Sequence, residues 1–324
     1  MQSFMDSKNL QDKFSSGLAR FLSDFPEDEN GLYAPIHYLL NIHGKRIRPL
    51  LALSTCEAEG VDAIKALPAA ISVELFHNFT LMHDDIMDNA PLRRGQVTVH
   101  EKFGESAAIL SGDAMFTLAS ISLENAPENA LLEILKIYNK TSREVCEGQQ
   151  LDMEFEQRVH VTIDEYLEMI RLKTSVLLAC SCAMGAISAG ASKERVDLWY
   201  KFGEMTGLAF QIQDDLLDTF GDSSLTGKRV GGDILSEKKT FLWLYSEEKG
   251  KLPSKSELSS IVDAQEKVSI ISACMVAAGA DVAARNKMGG YAEEALKALG
   301  ELRLSEGKQL WFEKLVKEVV GRDR

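Results

Sequence analysis

Apolar and small residues recur every three or four positions along most of the chain, the spacing that lays one face along an α-helix. From Val61 to Asp88 such residues fill most positions and the run ends in acids, and 127 to 157, 164 to 190 and 193 to 219 read as further long helical segments. No proline occurs between 128 and 252. Because an interior proline removes a backbone donor and costs ~3 kcal/mol, this favours long helices. Strand signals are nearly absent, and no Asn-Gly or Asp-Gly turn joins two alternating runs. The pattern predicts an all-α fold of ten or more helices. Breaks rich in glycine and charge fall at 41 to 49, 89 to 95 and 221 to 237, and each carries Lys or Arg. Length alone would suggest two domains, but no linker, solenoid repeat or low-complexity tract divides the chain, so residues 1–324 read as one large domain.

Composition adds constraints. With 45% hydrophobic and 26% charged residues the chain is globular, and its net charge of -13 argues against nucleic acid as a partner. The five cysteines (56, 146, 180, 182 and 274) are odd in number and lack zinc-type spacing, so they read as reduced and buried. The first residues hold no apolar run of signal-peptide length, which predicts a cytoplasmic location. An uncharged stretch, Thr174 to Ser192, has the length of a membrane span. It is mostly Ala, Ser, Gly, Cys and Thr, the composition of a closely packed buried helix, and no stable membrane insertion is expected.

The chemistry concentrates in a near repeat: Asp84-Asp85-Ile-Met-Asp88 and Asp214-Asp215-Leu-Leu-Asp218. Each sets two carboxylates one helical turn apart, with a third roughly 100° round the helix. Like charges at this spacing repel, so a cation should lie among them, and oxygen-only ligands favour Mg²⁺ over zinc or copper. Basic turns supply the complement at Gly44-Lys45-Arg46-Ile-Arg48-Pro49, Leu92-Arg93-Arg94-Gly95 and Gly227-Lys228-Arg229. Arginine forks, lysine point charges and magnesium are the groups that together bind phosphates.

With Gly148-Gln-Gln-Leu-Asp152, Lys173-Thr174, His77 through Asp88, Phe210 through Asp218 and Asp233 through Thr240, these motifs resemble, in order and spacing, the trans-isoprenyl diphosphate synthases of the short-chain type. The resemblance runs from Gly44 to Thr240. It implies one helical bundle around a central active-site cavity, and a head-to-tail condensation in which an allylic diphosphate ionises and isopentenyl diphosphate attacks the carbocation. Three Mg²⁺ ions are implied, two on Asp84 and Asp88 and the third on Asp214, with Asp85, Asp215 and Asp218 in support. Arg93, Lys173, Lys228 and Lys238 would meet the allylic diphosphate, although the adjacent Lys239 leaves open which lysine reaches it. Lys45, Arg48, His77 and Arg94 would form a metal-free pocket for isopentenyl diphosphate. Thr174 and Gln211 would stabilise the carbocation, and the released diphosphate would take the final proton. A homodimer is also implied.

Product length would be set below the first acidic cluster, by Phe79, Thr80 or Phe76. Helical geometry places Thr80 and Phe76 nearer the face of Asp84, with Phe79 roughly 140° away. The resemblance instead selects Phe79 and a twenty-carbon geranylgeranyl product, with fifteen-carbon farnesyl diphosphate as the alternative. Three other readings compete. A class I terpene cyclase has no need of Lys45, Arg48 and Arg94. A non-catalytic synthase subunit has no need of both acidic clusters. A di-iron bundle could use Glu74-Leu-Phe-His77 but needs a second such motif, and none of the other histidines has Glu three residues before it.

Overall fold

The computed structural model describes residues 7–25, 31–42, 44–221 and 231–321. These residues are helical almost throughout, as the periodicity predicts. The chain divides into two compact units. One comprises Met1–Ser142, Leu177–Tyr200 and Leu304–Lys308, and the other Arg143–Val176, Lys201–Arg303 and Gln309–Arg324.

The first unit opens with α1 (Ser7–Leu22), which buries Leu10, Phe14, Leu18 and Leu22 at four-residue intervals. Helices α2 (Ala34–Asn41) and α3 (Ile47–Ala58) follow, then α4 (Leu67–Met87), started by a proline in its first turn. A 3₁₀ turn at Ala63–Ala66 separates α4 from Val61, so the apolar run from Val61 begins as a tighter turn. Ala69, Ala70 and Ser72 on α4 are fully buried, and such small side chains allow close approach of neighbouring helices. Its principal neighbour is α6 (Glu105–Leu123), reached through the short α5 (Val99–Phe103).

Between α4 and α5 lies a feature the sequence pattern did not predict. Leu92–Arg93 and Gln96–Val97 pair antiparallel, and the two turn residues, Arg94 and Gly95, have φ of 52° and 75°. Positive φ at both central positions is the tight hairpin geometry that Asn-Gly usually supplies. Arginine at the first position hides that signal.

Helix α7 (Leu131–Gln157) and α10 (Lys193–Phe220) each contribute to both units. In the second unit α8 (Ile163–Ile170) begins with a reciprocal cap: the Glu165 amide donates to Thr162 Oγ1 at 3.2 Å and the Thr162 amide to Glu165 Oε2 at 2.9 Å, an arrangement worth ~1 kcal/mol. The helix expected over 164 to 190 is continuous but not uniform. A π turn at Arg171–Ser175 joins α8 to α9 (Val176–Ser188). The second unit's core includes Tyr166, Met169, Leu208, Ile212, Leu216, Phe241, Leu242, Ile271 and Met275. By length and composition alone, Ile163–Ser188 and Glu105–Leu123 could cross a membrane, but 78% of the apolar window in Ile163–Ser188 is buried against the protein itself. Its hydrophobicity is used in packing.

Candidate active site

In the first unit, Asp84 and Asp85 occupy the last turn of α4 and Asp88 is its C-cap, its amide bonded to the Asp84 carbonyl at 2.9 Å. A helix C-terminus carries partial negative charge, so carboxylates there are disfavoured by roughly 0.3–1 kcal/mol each unless a cation compensates. The three acids are not equivalent. Asp85 is buried and held by Arg93, whose Nε lies 2.8 and 2.9 Å from its two oxygens. Burial nevertheless raises its carboxyl, against the pull of Arg93. Asp84 lies 3.7 Å from Arg93 Nη2, and Asp88 is exposed. Among the described residues no three His, Cys, Asp or Glu side chains are grouped closely enough to hold a metal by themselves. Two hard oxygen donors one turn apart fit magnesium that shares its remaining ligands with water and phosphate.

Lys45, Arg48, His77 and Arg94 also belong to this unit. Arg48 Nη1 lies 3.2 Å from His77 Nε2; since guanidinium can only donate, the ring proton belongs on Nδ1. Burial, reinforced by Arg48, Arg94, Arg93 and Arg46, holds His77 well below the usual histidine range, so the ring is neutral. Burial pushes Arg48 down to about 10; Glu74 favours its charge and Arg94 opposes it. Arg48 Nε is buried without a hydrogen-bond partner. Exposed Lys45 lies in the turn between α2 and α3. Gly44 explains how Arg94 reaches that turn, because a β-carbon there would stand 2.3 Å from Arg94 Nη1.

The second unit holds the other set. Lys173 Nζ lies 2.6 Å from Asp152 Oδ2 and Lys238 Nζ lies 3.5 Å from the same oxygen. Burial would raise that carboxyl, but the two lysines outweigh it and hold it below the usual range. Lys239 instead donates to the Phe155 carbonyl, so Lys238 is the lysine that shares a carboxylate with Lys173. Its predecessor Glu237 has φ 52°, a conformation few non-glycine residues adopt. Thr174 donates to Gln211 Oε1 at 3.1 Å, Gln211 Nε2 to Asp215 Oδ1 at 3.4 Å, and the buried Tyr166 hydroxyl to Asp215 Oδ2. Burial, with Asp233 adding repulsion, pushes Asp215 up to about 8. Asp214 is partly exposed on α10, while Asp218 Oδ2 accepts the Asp233 amide at 2.9 Å and so anchors the segment leading to Lys238. Lys228 lies outside the described residues.

The π turn carrying Lys173 and Thr174 is gripped by two glycines. A β-carbon on Gly148 would meet the Lys173 amide nitrogen at 2.3 Å, and one on Gly207 would meet Ser175 Cα at 2.6 Å. Single π turns inside helices often mark functional sites. Gly148, Asp152 and Arg46 stand in motifs legible in the sequence, which assigns none of them a role, and no motif marks Tyr166 or Gly207. Glycine in the interior of two long helices was the available signal for close backbone approach.

Of the product-length candidates, Phe76 is fully buried and Phe79 partly so, with their rings 5.6 Å apart. Phe79 also meets Phe116 at 5.3 Å and His83 at 4.8 Å, while Phe76 stands edge-on to Tyr138. The Thr80 hydroxyl is turned back onto the His77 carbonyl at 2.8 Å.

The chain is similar to known proteins in both sequence and fold. The polyprenyl synthetase family profile matches residues 29–277. The geranylgeranyl diphosphate synthase of Methanosarcina mazei is 44% identical over 222 residues, 68% of each chain. A solved geranylgeranyl pyrophosphate synthase superposes with a TM-score of 0.92 at 40% identity, covering 98% of this chain and 99% of that one. The enzyme of the same name from Corynebacterium glutamicum, complexed with isoprenyl diphosphate and magnesium, superposes with a TM-score of 0.84 at 27% identity over 98% of both chains. The fold, the ordered motifs and these similarities together make the chain a member of the polyprenyl synthetase family of prenyltransferases.

Proposed function

We propose that this protein condenses isopentenyl diphosphate head to tail with an allylic diphosphate, in the presence of magnesium, to form geranylgeranyl diphosphate. One observation carries the reading: buried, unpartnered Arg48 Nε beside a neutral His77 and Arg94. That is a positive cluster with one buried donor left without an acceptor, formed without an acidic metal cluster of its own, as a second, metal-free diphosphate requires. Asp84, Asp88 and Asp214 would hold three magnesium ions, with Asp85, Asp215 and Asp218 behind them. Magnesium supplies fixed positive charge that favours departure of the diphosphate. Arg93, Lys173, Lys228 and Lys238 bind the allylic diphosphate. Asp152 holds Lys173 and Lys238 close together. Thr174, its proton donated to Gln211, offers oxygen lone pairs to the developing carbocation.

The Methanosarcina relative's name supports the twenty-carbon product. Farnesyl diphosphate is the second reading, favoured by the extra aromatic bulk of Phe76 and Phe116 against Phe79. Exposed Ile109, Leu110 and Phe116 on α6 support a homodimer, since apolar patches of this kind mark association surfaces. The five cysteines are unpaired, as suits the reducing cytoplasm, but only Cys56, Cys180 and Cys182 are buried; Cys146 is exposed and Cys274 partly so, against the expectation that all five lie in the core. The test supplies labelled isopentenyl diphosphate with and without an allylic partner. Label should enter prenyl product only when both and magnesium are present, and Arg48→Leu should raise KM for isopentenyl diphosphate. Conversion of the allylic diphosphate to a cyclic hydrocarbon without isopentenyl diphosphate would overturn the reading in favour of a cyclase.

A further inference from the structure

The Glu74-x-x-His77 pair is accounted for in an unexpected way. Glu74 is 3% exposed in the middle of α4 and accepts from Arg46 Nη1 and, at 2.9 Å, from Asn78 Nδ2. Arg46 also donates through Nη2 to the Leu40 carbonyl near the end of α2. One guanidinium therefore ties the C-terminal end of α2 to the middle of α4, and its own backbone, at φ 48°, forms the N-cap of α3. That conformation is costly for a residue with a β-carbon and persists where surrounding contacts enforce it. The residues on either side of Arg46 are Gly44 and Lys45, then Ile47 and Arg48. Gly44 receives the Arg94 guanidinium, and Arg48 reaches His77, one turn beyond Glu74 on α4.

The charges point the same way. Burial first, and then the neighbouring guanidiniums, disfavours the charged forms of His77 and Arg94: Arg48, Arg94, Arg93 and Arg46 act on His77, and Arg93 and Arg46 on Arg94. Glu74 acts in the opposite sense on both Arg48 and Arg94. Being engaged by Arg46 and Asn78, it tempers the repulsion without covering Arg48 Nε.

We propose that Glu74 and Arg46 are positioning residues for the metal-free diphosphate pocket: their buried ion pair sets the turn that carries Lys45 and Arg48 and leaves Arg48 and Arg94 directed at the ligand. This rests on the proposed isopentenyl diphosphate reading. Neither residue needs to touch substrate for the pair to act.

Steady-state kinetics on the full-length protein test it, with isopentenyl diphosphate and geranyl diphosphate varied separately at saturating magnesium. Glu74→Gln keeps the side-chain shape and an oxygen acceptor but removes the charge. It should raise KM for isopentenyl diphosphate at least about tenfold while KM for geranyl diphosphate changes less than about twofold. Removing one partner of a buried pair can unfold a protein, whereas replacing both by apolar residues is often tolerated, so Arg46→Met/Glu74→Met is measured alongside. It should melt near the wild-type temperature and still show the raised isopentenyl diphosphate KM. The proposal is overturned if the double variant binds isopentenyl diphosphate normally, if both KM values rise together with a fall in melting temperature, or if Glu74→Gln changes neither. Wild-type protein that fails to consume isopentenyl diphosphate would refute the functional reading itself, an outcome distinct from active wild type with unaffected variants.

Discussion

Gly148→Ala adds one methyl group, and its consequences can be worked from the contacts around the π turn. The new carbon would lie 2.3 Å from the Lys173 amide nitrogen and 2.8 Å from both Leu172 C and Lys173 Cα, against an ordinary contact of 3.4 Å or more. Relieving the overlap requires the π turn and α7 to separate by about 1 Å, because all three atoms are backbone and none can rotate away. Overpacking of this kind costs about 1–3 kcal/mol, set against a gain of ~1 kcal/mol from replacing glycine by alanine within a helix. The net stability change is therefore small, but Lys173 and Thr174 move. Displacement of reacting groups by 1 Å can cost on the order of 10²-fold in rate. Turnover with geranyl diphosphate should fall by roughly that factor while the melting temperature shifts only a few degrees. Gly290→Ala is the control, because its added carbon meets nothing within 4 Å; it should be slightly stabilised and fully active. If Gly148→Ala matches Gly290→Ala in turnover, the π turn does not position the catalytic residues.

Gly44→Ala should displace the Arg94 guanidinium and raise KM for isopentenyl diphosphate about tenfold with a smaller change in kcat, read from steady-state kinetics. Phe79→Ala opens the aromatic cluster with Phe76 and Phe116, and chromatography of the dephosphorylated products should show longer prenyl alcohols; unchanged length would remove Phe79 from product control. Asp215 titrates at about 8 when folded and near ~3.9 when unfolded. Between those pH values the folded state holds a proton that the unfolded state has released, so this group makes the metal-free protein less stable as pH rises from 4 to 8. Thermal unfolding in chelator should show that decline for wild type and a shallower one for Asp215→Asn; identical slopes would exclude the carboxyl as its source.

The longest helices were legible because their periodicity extends over twenty or more residues, whereas the exceptions each depend on something periodicity cannot carry. The hairpin at Leu92–Val97 depends on positive φ at Arg94, and the π turn on close approach by Gly148 and Gly207, residues far from it in sequence. In the candidate site, the acidic and basic motifs were legible as groups, but their division of labour was not. Asp84, Asp85 and Asp88 look alike in sequence, yet Arg93 engages Asp85 bidentately because the hairpin presents it there. The same holds for Lys238 and Lys239: adjacent lysines in an extended connection point in different directions, and only packing shows that one meets Asp152 and the other the Phe155 carbonyl. Tyr166 gave no signal because a buried tyrosine on an amphipathic helix reads as core, and its hydroxyl acquires a role only through Asp215.

The most direct measurement incubates the purified protein with dimethylallyl, geranyl or farnesyl diphosphate, isopentenyl diphosphate and magnesium, and identifies the dephosphorylated product by chromatography. Condensation chemistry requires a prenyl alcohol lengthened by five-carbon units, and the geranylgeranyl reading one that ends at twenty carbons, with formation reduced by orders of magnitude in Asp84→Ala and Asp214→Ala. Failure to consume isopentenyl diphosphate with any of the three primers, or near-normal rates in both aspartate variants, would contradict it.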